Sequence, residues 1–211
     1  MIEISLIRVT GFEAAIRGMR NPMNSWEKSD SYFISSYPEG YGIGQNDIEL
    51  MKKLVKSGSD HRKFMRMINA TMDIKAPLYW WKEFDTYKVG TVANSCSTMH
   101  KIHEKEFVTD DFSIEHLDAL SLFYFKKIIA VLNHARVTYE ETKDKNEWWQ
   151  MIQILPSSYN QLRTVQLNYE VLYSIYFARK EHKLDEWRIF CETILTLPLM
   201  KEFLIDKQEE K

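Results

Sequence analysis

The sequence predicts an α+β protein: a small mixed sheet with long packed helices in a single domain spanning residues 1–211. Three observations lead there. Residues 2–9 are rich in Ile, Leu and Val and alternate in part, as a strand does. Residues 64–74 carry a clear period of two. The second half of the chain is dominated by apolar residues at helical spacing, and no linker, repeat or low-complexity segment divides it.

Taken in order, the elements are these. Residues 2–9 form a first strand. Residues 21–45, NPMNSWEKSDSYFISSYPEGYGIGQ, hold so much Asn, Pro, Ser and Gly that they read as one long loop. Asp47–Ser57 reads as a helix ended by Gly58. In the strand at 64–74, Phe64, Ile68, Ala70, Met72 and Ile74 share one face, and Met65, Met67, Asn69, Thr71 and Asp73 the other. Pro77 suits the first turn of a following helix, where its missing N–H is not needed. Ser113–Ala135 places apolar residues at 117, 120, 124, 128, 131 and 135, an amphipathic helix with Ser113 as N-cap. Trp148–Ile154 is a short helix stopped before Pro156. Gln161–Glu181 reads as another long helix, and Leu184–Thr196 with Leu199–Ile205 closes the chain.

Composition narrows function. The net charge of −2 supplies no global basic field for nucleic acid or an anionic membrane. No stretch approaches the roughly 18 apolar residues of a membrane span. The start MIEISLIRVTGF has neither the charge nor the apolar run of a signal peptide. Two distant cysteines, Cys96 and Cys191, fit a reduced, cytoplasmic setting better than a disulfide. Cys96, His100 and His103 have metal-compatible spacing but lack an obvious fourth ligand, so no metal is expected. Phosphate-binding loops and dinucleotide fingerprints are missing from the sequence.

Two stretches carry chemical potential. On a helix of about 100° per residue, Gln161, Asn168, Ile175, Arg179 and His182 fall near one line. Amides, a guanidinium and an imidazole there would read an anion and a base. A solvated face is the plainer account, but Tyr169, Leu172, Tyr173, Tyr176 and Phe177 surround the stripe as in a buried helix, where an arginine needs a partner. The second stretch is 76–103, APLYWWKEFDTYKVGTVANSCSTMHKIH. Its hydroxyls and Lys88 suit phosphate, or else form a Ser/Thr-rich turn. Trp80 and Trp81 read as core in preference to a base-stacking platform.

Two segments resemble, in order, the flavin-dependent thymidylate synthases. One lies within Leu54–Lys101, LVKSGSDHRKFMRMINATMDIKAPLYWWKEFDTYKVGTVANSCS; the other within Ile154–Phe203, ILPSSYNQLRTVQLNYEVLYSIYFARKEHKLDEW. Together they cover about half the chain. The resemblance implies an α+β fold, a homotetramer with sites between subunits, FAD as cofactor, and a uridine-type monophosphate as substrate for reductive methylation. It assigns Asn168, Thr86, Tyr87 and Lys88 to the flavin and Arg179, Arg163, Glu83, Ser97 and Lys88 to the nucleotide. The departures are sharp. Thr86-Tyr87-Lys88 stands where the family has Arg-His-Arg, Glu83 where it has Gln, and Met99 or Thr98 where it has a phosphate-binding Arg. Lys88, Arg17, Arg20 and Arg163 are the cations left to compensate. The chain is therefore expected to be either a divergent nucleotide-modifying enzyme or a non-catalytic, phage-type protein that binds or sequesters a nucleotide on the same fold. A purely structural protein without a small ligand is the third reading. Catalytic residues cannot be named.

Overall fold

A computed structural model describes residues 1–34 and 40–205. Four strands make the main sheet: β1 (Glu3–Thr10), β4 (Asn69–Pro77), β5 (Thr91–Ser95) and β6 (Asn160–Asn168). Their order is β1-β4-β6-β5, and every neighbouring pair is antiparallel. β2 (Tyr32–Ile34) and β3 (Gly40–Gly42) pair antiparallel in a separate two-stranded sheet. The helices are α1 (Phe12–Arg20), α2 (Gln45–Lys56), α3 (Leu78–Phe84), α4 (Thr98–Lys101), α5 (Ala119–Thr142), α6 (Lys145–Ile154), α7 (Tyr169–Arg179), α8 (Asp185–Thr196) and α9 (Met200–Ile205).

One strand organises the core. In β4, Ala70, Met72, Ile74 and Ala76 are buried and alternate with partly exposed Thr71, Asp73 and Lys75. Val165 and Leu167 of β6 join the same apolar layer. Over it pack α1, α3, α7 and α8, with Trp80, Trp81, Phe84, Trp187 and Phe190 forming an aromatic block. Trp80 and Trp81 are thus core, as expected. A second cluster, from Ile102, Phe107, Phe112, Ile129, Leu132, Ala135 and Met151, holds α5 against α6.

The sequence misplaced several elements. Residues 64–67 belong to a 3-10 turn over Arg62–Met67, in which adjacent Phe64 and Met65 are both buried; two neighbours cannot both face one side of a strand. The expected helix from Gln161 divides. Residues 160–168 are a strand, because β4 and β5 offer pairing on both sides and Val165 and Leu167 alternate with exposed Thr164 and Gln166. Asn168 then caps α7, its Oδ1 accepting the Val171 N–H at 3.0 Å. The hydroxyl-rich run, read as suited to phosphate or else as a Ser/Thr-rich turn, holds the edge strand β5.

Asp118, not Ser113, caps α5, accepting the Ser121 N–H at 2.7 Å. Ser113 is buried instead and donates to Asn160 Oδ1 at 2.9 Å. Of the stripe expected to face the core, Leu117, just before α5, and Leu120, Tyr124 and Val131 on it face outward. The helix has apolar residues on more than one face, and the chain's own core takes the one bearing Ile129, Leu132 and Ala135.

The expected loop 21–45 contains two 3-10 turns and the strands β2 and β3; its residues 35–39 lie outside the described ones. Its polar side chains tie it to α2. Asp30 accepts the Asn46 and Asp47 N–H groups, while Ser29 and Ser31 donate to Asp47 Oδ2 at 2.6 and 2.7 Å.

Candidate functional site

Residues 83–90, from the last turn of α3 onward, run alongside α7 in the opposite direction. Their start meets the C-terminal end of α7, where Glu83 and Tyr87 contact Arg179. Their end meets the N-terminal end, where the Gly90 carbonyl accepts the Asn168 N–H at 3.3 Å. An eleven-residue helix is roughly 16 Å long. Asn168 and Arg179 therefore mark two ends of a strip, not one helical stripe. Gln161 lies further away on β6, with its Nε2 donating to the Cys96 carbonyl at 2.8 Å.

At the Arg179 end the geometry is dense. Arg179 Nη1 donates to Glu83 Oε2 at 2.9 Å, and its Nε to the Tyr87 hydroxyl at 2.9 Å. Its guanidinium lies 4.8 Å from the centroid of the Trp187 ring and 5.7 Å from that of Tyr87. Glu83 Oε2 also accepts the Trp187 indole N–H at 2.9 Å, and His182 Nε2 stands 3.5 Å away. Side-chain exposure is 20% for Arg179 and 37% for Glu83, so solvent and small solutes reach the pair. This resolves the arginine in an otherwise apolar helix: it has its carboxylate partner.

Arg163 occupies a second position. Paired opposite Ser95 across the sheet, it stacks 4.3 Å from the Trp81 ring centroid. Its Nη1 donates to Asp85 Oδ1 at 2.7 Å and its Nε to Gln161 Oε1 at 3.0 Å. Both arginines singled out for a nucleotide therefore meet carboxylates two residues apart on one segment.

The remaining candidates are spread along that segment and beyond it. Thr86 donates its hydroxyl to the Glu83 carbonyl at 2.8 Å, and Lys88 is exposed. Ser97 caps α4 by accepting the His100 N–H at 3.1 Å. Nearby, a 210 Å³ groove is lined by Ser97, Lys75, Lys101, Lys105 and Tyr159 among others. His103 packs edge-on to Tyr139, 3.5 Å from Glu140. Arg20 does not serve the site. It is buried with Asp47, donating from Nε to Oδ1 at 2.7 Å. Arg17 is exposed on α1.

Of the four residues assigned to flavin, Asn168 and Thr86 already use polar atoms as helix-end partners, and Tyr87 accepts from Arg179. Lys88 is the sole cation of that set. By itself the set does not fit a dinucleotide pyrophosphate, whose charges would go largely unmatched.

Sequence reasoning missed Asp85, Gly90 and the contact of Trp187 with Glu83. Gly90 carried a legible signal, a glycine between two polar runs. Nothing in the sequence indicated which carboxylate each arginine meets.

No family model matches the sequence, and no curated protein does so significantly. Solved structures do match. The flavin-dependent thymidylate synthase ThyX of Helicobacter pylori, complexed with FAD and dUMP, superposes with a TM-score of 0.69 at 17% identity, covering 97% of this chain and 98% of that one. A second structure of that enzyme with FAD and dUMP gives 0.68 at 16% identity, covering 98% of each chain. The UMP/dUMP methylase PolB of Streptomyces cacaoi, bound with 5-Br dUMP, gives 0.65 at 13% identity, covering 98% of this chain and 95% of its own. The chain thus has the fold of the flavin-dependent thymidylate synthases, as a divergent, low-identity example of that architecture.

Proposed function

We propose that this chain, acting as one domain, binds a uridine-type nucleotide along the strip between residues 83–90 and α7. The observation that carries the reading is the meeting of Glu83, Tyr87 and Arg179 beside Trp187. These residues come from segments separated in sequence, and they combine hydrogen-bonding groups with the half-buried ring of Tyr87, an aromatic face that suits a base. Support comes from the neighbours of the same fold, crystallised with dUMP, 5-Br dUMP or 5-Br UMP. Ser97 and Lys88 are further nucleotide contacts in this reading, and Arg163 a second cation. Calorimetry with UMP and dUMP tests it. Saturable binding that weakens in Tyr87→Ala is the expected result; no heat with either ligand would refute it.

A second reading is flavin-driven methylation of that nucleotide. It is favoured by the FAD and dUMP held in the Helicobacter pylori structures. Against it stands the shortage of cations at Thr86-Tyr87-Lys88. Visible absorbance of the purified protein, with mass spectrometry of anything released on denaturation, separates the two. A colourless protein is expected; flavin at one per subunit would establish the second.

We further propose a homotetramer. The outward stripe of α5 is the support: Leu120, Phe123 and Tyr124 are 66%, 55% and 61% exposed in the single chain. Contiguous apolar surface of this kind is ordinarily covered by a partner. A cytoplasmic location accords with free Cys96 and Cys191.

A further inference from the structure

A guanidinium presents N–H donors in a rigid fork that matches the oxygens of a phosphate or a carboxylate. In Arg179 that fork is engaged from within. Nη1 faces the Glu83 carboxylate, Nε faces the Tyr87 hydroxyl, and the plane lies over Trp187. Glu83 is itself anchored, because the same oxygen accepts the Trp187 indole N–H. It also sits in the last turn of α3, the negative end of the helix dipole, where a carboxylate needs a cation beside it. The pair is therefore already formed in the ligand-free protein. The family resembled by the sequence has a neutral glutamine at this position; here it is an anion.

We infer that Glu83 is an internal anion occupying the Arg179 fork, so that a nucleotide's 5′-phosphate adds little to binding and the ligand is held by its base and sugar. The inference rests on the proposed nucleotide-binding role of this strip. A phosphate approaching Arg179 either displaces a bound carboxylate or shares one guanidinium with it, where the two anions repel each other. Arg163 offers no easy substitute, since Asp85 holds its Nη1, and Lys88 is exposed, where water and salt screen its charge. Glu83 then sets specificity, discriminating against charge at a place where a glutamine would welcome it.

The test compares uridine with UMP by calorimetry on three proteins: the wild type, Glu83→Gln, and the double variant Glu83→Gln/Arg179→Ala. Glutamine retains an acceptor for Trp187, and thermal melts check that each variant is folded. The wild type should bind UMP within about threefold of uridine. In Glu83→Gln the preference for UMP over uridine should rise roughly tenfold above that of the wild type, and the double variant should lose that gain. A wild type preferring UMP by more than about tenfold would overturn the inference whether or not the variants fold. So would a gain in Glu83→Gln that survives without Arg179. If neither ligand binds any of the three, the nucleotide role fails and this inference fails with it. UMP preference with ordinary uridine binding defeats the inference alone.

Discussion

The Gly90 carbonyl oxygen accepts the Asn168 backbone N–H, and a β-carbon on Gly90 would stand 2.4 Å from Asn168 Nδ2. The glycine has φ +79°, in the left-handed region that side chains disfavour. Asn168 cannot simply swing away, because its Oδ1 caps α7. Gly90→Ala should therefore combine backbone strain with a disturbed cap, costing about 1–3 kcal/mol in a urea melt. A neutral result would mean that this end of the strip is loosely held.

Arg20 and Asp47 form a buried ion pair, 5% and 0% exposed. Removing the cation strands a buried carboxylate, so Arg20→Ala should destabilise by about 3–5 kcal/mol. Burial alone would raise the Asp47 carboxyl. Hydrogen bonds from Ser29, Ser31 and Arg20, with the Arg20 charge, outweigh burial and hold it below its ordinary value. The sign follows from that depression. The stabilisation is present above the unfolded-state value of about 3.9 and is lost as pH falls through the folded value. The gap between wild type and Arg20→Ala should accordingly be widest near neutrality and narrow in acid, as read from melts across pH.

The two thiols should differ sharply. Cys96 is exposed, while burial pushes the Cys191 thiol up to about 12 despite the nearby Arg179 charge. A thiol reagent at neutral pH should label one cysteine in the native protein and both after denaturation. Rapid native labelling of Cys191 would show that α8 opens readily.

Charge on the α5 stripe gives a clean separation of assembly from folding. Leu120→Glu with Phe123→Glu changes side chains that are already more than half exposed in one chain. The monomer should keep its helical signal, and light scattering should show the loss of a larger assembly. A wild type that scatters as a monomer would sink the tetramer.

Much of the architecture was legible where one physical signal dominated. The alternation of Ala70, Met72 and Ile74 marks a half-buried strand whatever surrounds it. α2, α6 and α8 lie within a few residues of where apolar spacing and end signals put them. The errors fell where local signals were balanced. Residues 160–168 have enough apolar content for either helix or strand, and pairing with β4 and β5 decided between them. Ser113 and Asp118 are both competent caps; the bond from Ser113 to Asn160 left the role to Asp118.

The candidate site divides the same way. Residue types at 83–88 and at Arg179 marked a polar place among aromatics, and that much was present in the chain itself. Which charges meet was a tertiary matter. Glu83 lies 96 residues from Arg179, and Asp85 lies 78 from Arg163. No period or propensity reaches across such separations. Local sequence sets each segment's backbone preference and its buried face. Only the packing of α3 against α7 and β6 settles which arginine finds a carboxylate, because an ion pair depends on distance in space and not along the chain.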